Sequence, residues 1–299
     1  MENKGFFKPG PCQDPDYAAL RDLPNASDCR HFVEDLWREY APYSDPHYLS
    51  DARNHFHQRF WEMYLCVTML KRGFVITRIG KEGPEFSTTI GGRTVWFEAI
   101  APLEGSGADK VPELKMNEAT WVPTEQVLMR YTAALSEKLR KYHSFRTKGI
   151  VSEGDGYIVA INSNKIPNAY FGSILPYHVQ AFLPFGPFTV AINPKTHEKV
   201  DEYFQYRAEV TKQSGRPVST QAFLDPAYAG VSAVIHSVFD VAGYTRSRAI
   251  WGDDFDVLHN PTAANPLPLD AFNWCKYRYL REGKLETVER TSSSGGLNG

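Results

Sequence analysis

The sequence is poor in cysteine. Four thiols, Cys12, Cys29, Cys66 and Cys275, stand far apart in 299 residues and form no C-x-x-C pair. Disulfide frameworks and cysteine-based zinc sites need closer or paired spacing, so the expectation is reduced thiols in a cytoplasmic protein. No apolar run reaches the ~18 residues of a membrane span. The opening MENKGFFKPGPCQDPDY lacks the apolar stretch of a secretory signal. Net charge is also scarce. At −2 overall the chain is no basic coat for nucleic acid, although a neutral total leaves room for a local basic groove. There is no internal repeat, no phosphate-cradling Gly-rich loop and no Gly-x-Ser-x-Gly elbow, and GDG at 154–156 reads as a tight turn.

What is present is a core. Apolar residues make up 42% and aromatics 13%, which excludes general disorder and supplies one large domain or two small ones. Residues 1–45, rich in Pro, Asp and Asn, read as an N-terminal arm with a short helix in DCRHFVEDLWREY. A longer helix is expected in SDPHYLSDARNHFHQRFWEMYLCVTMLKRG. There Phe56, Phe60, Met63, Val67 and Leu70 recur at helical spacing and Gly73 supplies a stop. Three strands are expected next, FVITRI, EFSTTI and RTVWFEAIA, the last two joined by Gly91-Gly92. A second helix follows from Pro123, with Val127, Tyr131, Leu135, Leu139 and Tyr142 as its inner stripe. GYIVAINSN then reads as a central strand covered on both faces.

Residues 166–285 form a looser C-terminal region packed on this core, with GVSAVIHSVFD as one more buried strand, and 286–299 read as a disordered tail. The charged run 195–212 is expected to be a solvated helix face. Asp253, Asp254, His259 and Asn260 are expected in a structural loop before Pro261. His55 and His57, two apart on a helix, face different ways and read as solvated or satisfied histidines, not a metal pair.

Three carboxylates sit among apolar neighbours: Glu62 in the first long helix, Glu85 after Gly83-Pro84, and Glu98 in VWFEAIAP. Burying an ionised carboxylate is costly unless it is paired or holds a metal. The bland readings are a surface i,i+3 pair of Glu62 with Arg59 and an ordinary strand-start acid at 85. Glu98, apolar on both sides, fits a bland reading less well.

Together these residues resemble the PD-(D/E)xK nuclease superfamily, over residues 46–165. The resemblance rests on element order and on motif: a helix acid (Glu62), a Pro-acid pair (Pro84-Glu85) and a strand acid (Glu98). It implies an α/β fold with a restriction-endonuclease-like core: helix, three-stranded meander, helix, strand. It also implies a magnesium- or manganese-dependent endonuclease acting on nucleic acid, DNA foremost, often as a homodimer. Glu85 and Glu98 would hold the metal and Glu62 would orient a water. The usual lysine two residues after the strand acid is Ile100 here. Some members carry the basic group on the following helix, which points to Lys138, with Arg130 and Gln126 as contacts to a substrate phosphate. The competing reading is a nucleic-acid-binding or scaffold protein that keeps the fold without the chemistry. A metal hydrolase with another substrate is a third. The reach of Lys138 or Arg130 toward Glu85 and Glu98 separates the first two.

Overall fold

Gly91 and Gly92 take φ of 58° and 78°, the left-handed region that a two-residue hairpin turn requires at both positions. They join two strands that pair antiparallel with Ile90 opposite Arg93 and Phe86 opposite Phe97. Around this hairpin the computed structural model describes residues 5–78, 82–115, 117–118, 121–170, 174–243 and 251–289. The first half runs α1 (Pro15–Asp22), α2 (Ser27–Tyr40), α3 (Tyr48–Ala52), α4 (Phe56–Lys71), β1 (Phe86–Ile90), β2 (Arg93–Ile100), α5 (Thr124–Thr147) and β3 (Gly156–Asn162). The second half runs α6 (Tyr177–Phe182), β4 (Phe185–Ile192), β5 (Lys199–Tyr206), β6 (Glu209–Thr211), β7 (Pro217–Ser219), β8 (Ala233–Ser237), β9 (Asp256–His259), β10 (Lys276–Arg281) and β11 (Lys284–Val288).

The fold is mixed α/β. Seven strands form one sheet in the order β1-β2-β3-β8-β9-β10-β11. Pairs β2–β3, β3–β8 and β9–β10 are parallel, and β1–β2, β8–β9 and β10–β11 are antiparallel. A parallel neighbour needs a crossover, and α5 is the one between β2 and β3. Because side chains alternate along a strand, β2 serves two cores. Val95, Phe97 and Ala99 pack with α2 and α4, while Trp96 and Ile100 pack with α5 and α6. All seven residues of β3 are buried, as its continuous apolar run implies. Residues from the 166–285 region enter this same sheet as β8 to β10.

Helix α4 is where the N-terminal residues matter. Its first backbone N–H, at Phe56, bonds Asp14 Oδ2 at 2.9 Å. At its other end Gly73, at φ 85°, turns the chain, and the Phe74 N–H returns to the Met69 carbonyl at 3.0 Å. Phe6, Tyr17, Phe32, Leu36 and Trp37 share its core, so α4 is covered on both sides. Truncating a core aromatic such as Phe60 would cost about 3–5 kcal/mol.

Five expectations are corrected. The first expected strand, FVITRI, is reduced to a single bridge between Thr77 and Ser87, and Ile79 lies outside the described residues. Val75 is 80% exposed there, and its carbonyl is taken by Thr88 Oγ1 at 2.8 Å, a side-chain bond in place of a ladder bond. The long helix is broken into α3 and α4 around residues 53–55. The run 195–212 is not helical: it forms β5 and β6, with β5 paired to β4. A two-residue period puts Phe204 against Phe188 at 5.2 Å, and the ladder comes from a partner strand that local composition does not reveal. Of the expected loop at 253–260, Asp253 and Asp254 lie in a turn and Asn260 makes another, accepting the Thr262 N–H at 3.0 Å, but Asp256–His259 form β9, inserted between β8 and β10. Of the expected tail, residues 286–288 belong to β11 and 290–299 lie outside the described residues.

Candidate functional site

The β1–β2 register ends at Phe86 opposite Phe97, and along β2 Glu98 falls on the same face as Trp96 and Ile100, the face that α5 covers. The Glu85 N–H bonds the Phe97 carbonyl at 3.0 Å, which anchors that position. Glu98 is 2% exposed. Its Oε1 accepts two ammonium groups, Lys138 Nζ at 2.8 Å and Lys141 Nζ at 2.9 Å. These lysines are three residues apart on α5 and so share a helix face. Lys138 is buried with Glu98, whereas Lys141 is half exposed.

Glu85 is the unfinished member. It is half-buried, and no side chain among the described residues donates to its carboxylate. Burial first, then the charges of Glu62 and Glu98, push its carboxyl well above the usual range; Lys138 and Arg59 pull the other way without cancelling this.

Glu62 reaches the same cluster from α4. The surface pair expected with Arg59 exists, Arg59 Nη1 to Glu62 Oε2 at 2.7 Å, but the carboxylate is buried. Gln58 Nε2 donates to the other oxygen at 2.8 Å. Gln58 also staples the helix to the end of β2, accepting the Ala101 N–H at 2.7 Å. Arg59 is held in turn by Asp51 at 2.9 Å and stacks over the Tyr48 ring. Neither carboxylate oxygen of Glu62 lacks a donor.

The remaining expected residues fall elsewhere. Ile100 packs in the apolar core beneath α5, where a lysine ammonium would be buried among aliphatic groups. Arg130 Nε donates to the Leu103 carbonyl at 2.9 Å, and its guanidinium packs on Gly105. It stands about 12 Å along α5 from Lys138, and Gln126 about 18 Å, at 1.5 Å rise per residue. Arg130 lines a separate cavity of 410 Å³ with Asp109, Ser136 and Lys212. His57 is buried and satisfied, its Nε2 lying 3.1 Å from Asn162 Oδ1, and burial lowers it to about 4. His55 takes no part.

Sequence reasoning missed Lys141, Gln58 and the binding of Arg59 to a buried acid. Lys141 carried a signal: on a helix it is the i+3 neighbour of Lys138. It also missed a groove of 590 Å³ lined by Thr77, Ser87, Thr89, Thr94, Trp96 and Asp155. Trp96 lies one side-chain step, about 7 Å, from Glu98 on the same face of β2.

Among the described residues no three or more of His, Cys, Asp and Glu are grouped as a metal cage. The donors explain this: Glu62 is spoken for, and one oxygen of Glu98 is held by lysines. Among the described residues no helix is long and apolar enough to cross a membrane. Comparisons of the chain with protein-family models, with curated proteins and with solved structures found no match.

Proposed function

We propose that this chain hydrolyses phosphodiester bonds of nucleic acid with a divalent cation, as a divergent PD-(D/E)xK-type nuclease with a restriction-endonuclease-like core. The observation that carries the reading is the trio of Glu85, Glu98 and Lys138. Lys138 on the next helix lies 2.8 Å from Glu98, which would supply the charge of the absent strand lysine, and Glu85, just before β1, feels the charges of Glu98 and Lys138. The order α4, hairpin, α5, then a strand parallel to β2 supports the same reading.

The donor set suits a hard cation. Magnesium or manganese takes one or two carboxylates and leaves its other positions to water and a substrate phosphate. Glu85, without a side-chain donor, and Glu98 would hold the ion, which when bound would activate water and neutralise charge on the phosphate. Glu62, fixed by Gln58 and Arg59, would orient the attacking water. Lys138 would offset negative charge as it develops. Arg130 and Gln126, far along α5, are left out of this set. DNA is the substrate favoured by the resemblance, and nothing in the charge balance singles it out.

The test is cleavage of plasmid and single-stranded DNA with magnesium or manganese by wild type and Glu85→Gln. Loss of about 10²–10³-fold in the variant is expected. Equal activity in both, or none in the wild type, refutes the reading. Glu85 is a cleaner target than Glu98, whose removal also strands Lys138.

A further inference from the structure

Arg207, just past β5, is held in place yet lacks a counter-charge. Its backbone N–H bonds the Pro184 carbonyl at 2.9 Å, and its Nη2 donates to Gln180 Oε1 at 2.9 Å and to the Phe185 carbonyl at 3.2 Å. Gln180, 4% exposed, is itself fixed, its Nε2 donating to the Leu175 carbonyl at 2.6 Å. Every acceptor on the guanidinium is therefore neutral. Its Nε is buried without a partner, and among the described residues Nη1 has none and no carboxylate lies within ion-pair distance. Burial lowers Arg207 from its usual range, and the opposing charge of Glu125 does not cancel this.

The guanidinium borders a cavity of about 270 Å³. The other walls are mostly apolar: Ile174, Leu175, Pro187, Phe188 and Phe204, the two rings meeting edge to face at 5.2 Å. Thr124 and Tyr177 add hydroxyls. Apolar walls with a few converging polar groups are how proteins hold small organic ligands. Arg207 is the one cation among the described lining residues, so the matching ligand carries a single negative charge. A carboxylate does; a phosphate monoester above neutral pH carries nearly two. At about 30 Å³ per water-sized group the space takes roughly nine such groups, the size of a ring with a short acid chain.

We propose that this cavity binds a small aromatic carboxylate, its ring against Phe188 and Phe204 and its carboxylate on the Arg207 guanidinium. The site shares no residue with the acids under α5 and does not rest on the nuclease reading.

The test is calorimetric titration of the full chain at pH 8 with phenylpropionate, its neutral amide and phenyl phosphate. Wild type should bind the carboxylate about tenfold or more tighter than the amide, because the charge-assisted bond is lost with the charge. Phenyl phosphate should bind no tighter than the carboxylate. Arg207→Met should weaken the carboxylate about tenfold and leave the amide unchanged, with Arg207→Lys, which keeps the charge without the planar fork, in between. Equal binding of acid and amide to wild type, or binding of neither, overturns the site without recourse to a variant. Carboxylate binding that Arg207→Met leaves intact overturns it as well, and tighter binding of phenyl phosphate overturns the carboxylate class.

Discussion

Two carboxylate clusters among the described residues are finished differently. On β9 and β10, Asp256 accepts three hydrogen bonds from Arg278, at 2.8, 3.0 and 2.9 Å. Arg278 spends a further nitrogen on Thr287 Oγ1 at 2.8 Å. His178 lies 3.5 Å from the same acid and stacks on His236 at 4.5 Å, and His236 Nε2 meets Ser163 and Tyr131 at 2.9 and 3.0 Å. Burial would raise Asp256, but the His178 ring and the Arg278 guanidinium outweigh it and hold the carboxyl well below the usual range. Glu85 is shifted the opposite way, with burial and two neighbouring acids on one side and incomplete counter-charge on the other. Burial is common to both, so the completeness of the donor set decides the sign. A completed set is a structural rivet. An uncompleted one in a cleft retains free energy that a ligand can release.

This contrast can be broken by substitution. The largest stability effect is expected at the rivet: Asp256→Asn, which leaves Arg278 buried without its counter-charge, should cost about 3–5 kcal/mol in urea unfolding. A cost below about 1 kcal/mol would erase the distinction. Glu98→Ala should cost about 3 kcal/mol, because Lys138 is then stranded. Adding Lys138→Met should restore part of that loss, and strict additivity of the two changes would show that they are not coupled.

Glu85→Gln should act in the other direction, raising stability by about 0.5–2 kcal/mol at pH 8 while removing cleavage. The sign follows from the raised carboxyl. Below the unfolded-state value Glu85 is protonated whether folded or not, and glutamine brings no electrostatic gain. As pH climbs through the folded-state value, the wild type loses stability that the variant keeps. Urea melts at pH 4 and pH 8 measure it; destabilisation at pH 8 would make Glu85 a structural partner. The smallest effect is expected at Arg130→Ala. One hydrogen bond to the Leu103 carbonyl is worth about 0.5–1.5 kcal/mol, and cleavage should be unchanged. A marked loss of cleavage would bring Arg130 back as a phosphate contact.

Legibility followed the range of the interactions. The Gly91-Gly92 hairpin, the inner stripe of α5 and the nearly continuous apolar run of β3 are visible in the sequence because each depends on neighbours within one turn or one pleat. The strand reading failed at 74–78, where Thr88 Oγ1 takes the Val75 carbonyl and a single bridge joins Thr77 to Ser87. It failed again at 195–212, where β4 decides that β5 is a strand. The acids were legible as oddities, since a charge flanked by Trp96, Phe97, Ala99 and Ile100 asks for a partner. Lys138 could be nominated from helical spacing and Lys141 shares its helix face as the i+3 neighbour, but only the packing of α5 on β2 brings both to Glu98.

By itself, then, the sequence determined the alternation of helix and strand in the first half and which carboxylates would be costly to bury. Tertiary structure decided who meets them. The crossover brought α5 over the face of β2 that carries Glu98, and the N-terminal helices enclosed α4 so that Glu62 became a buried acid. Those outcomes depend on distances between residues about forty positions apart in the chain, as Glu98 and Lys138 are. Chain-closure geometry, not local preference, sets such distances.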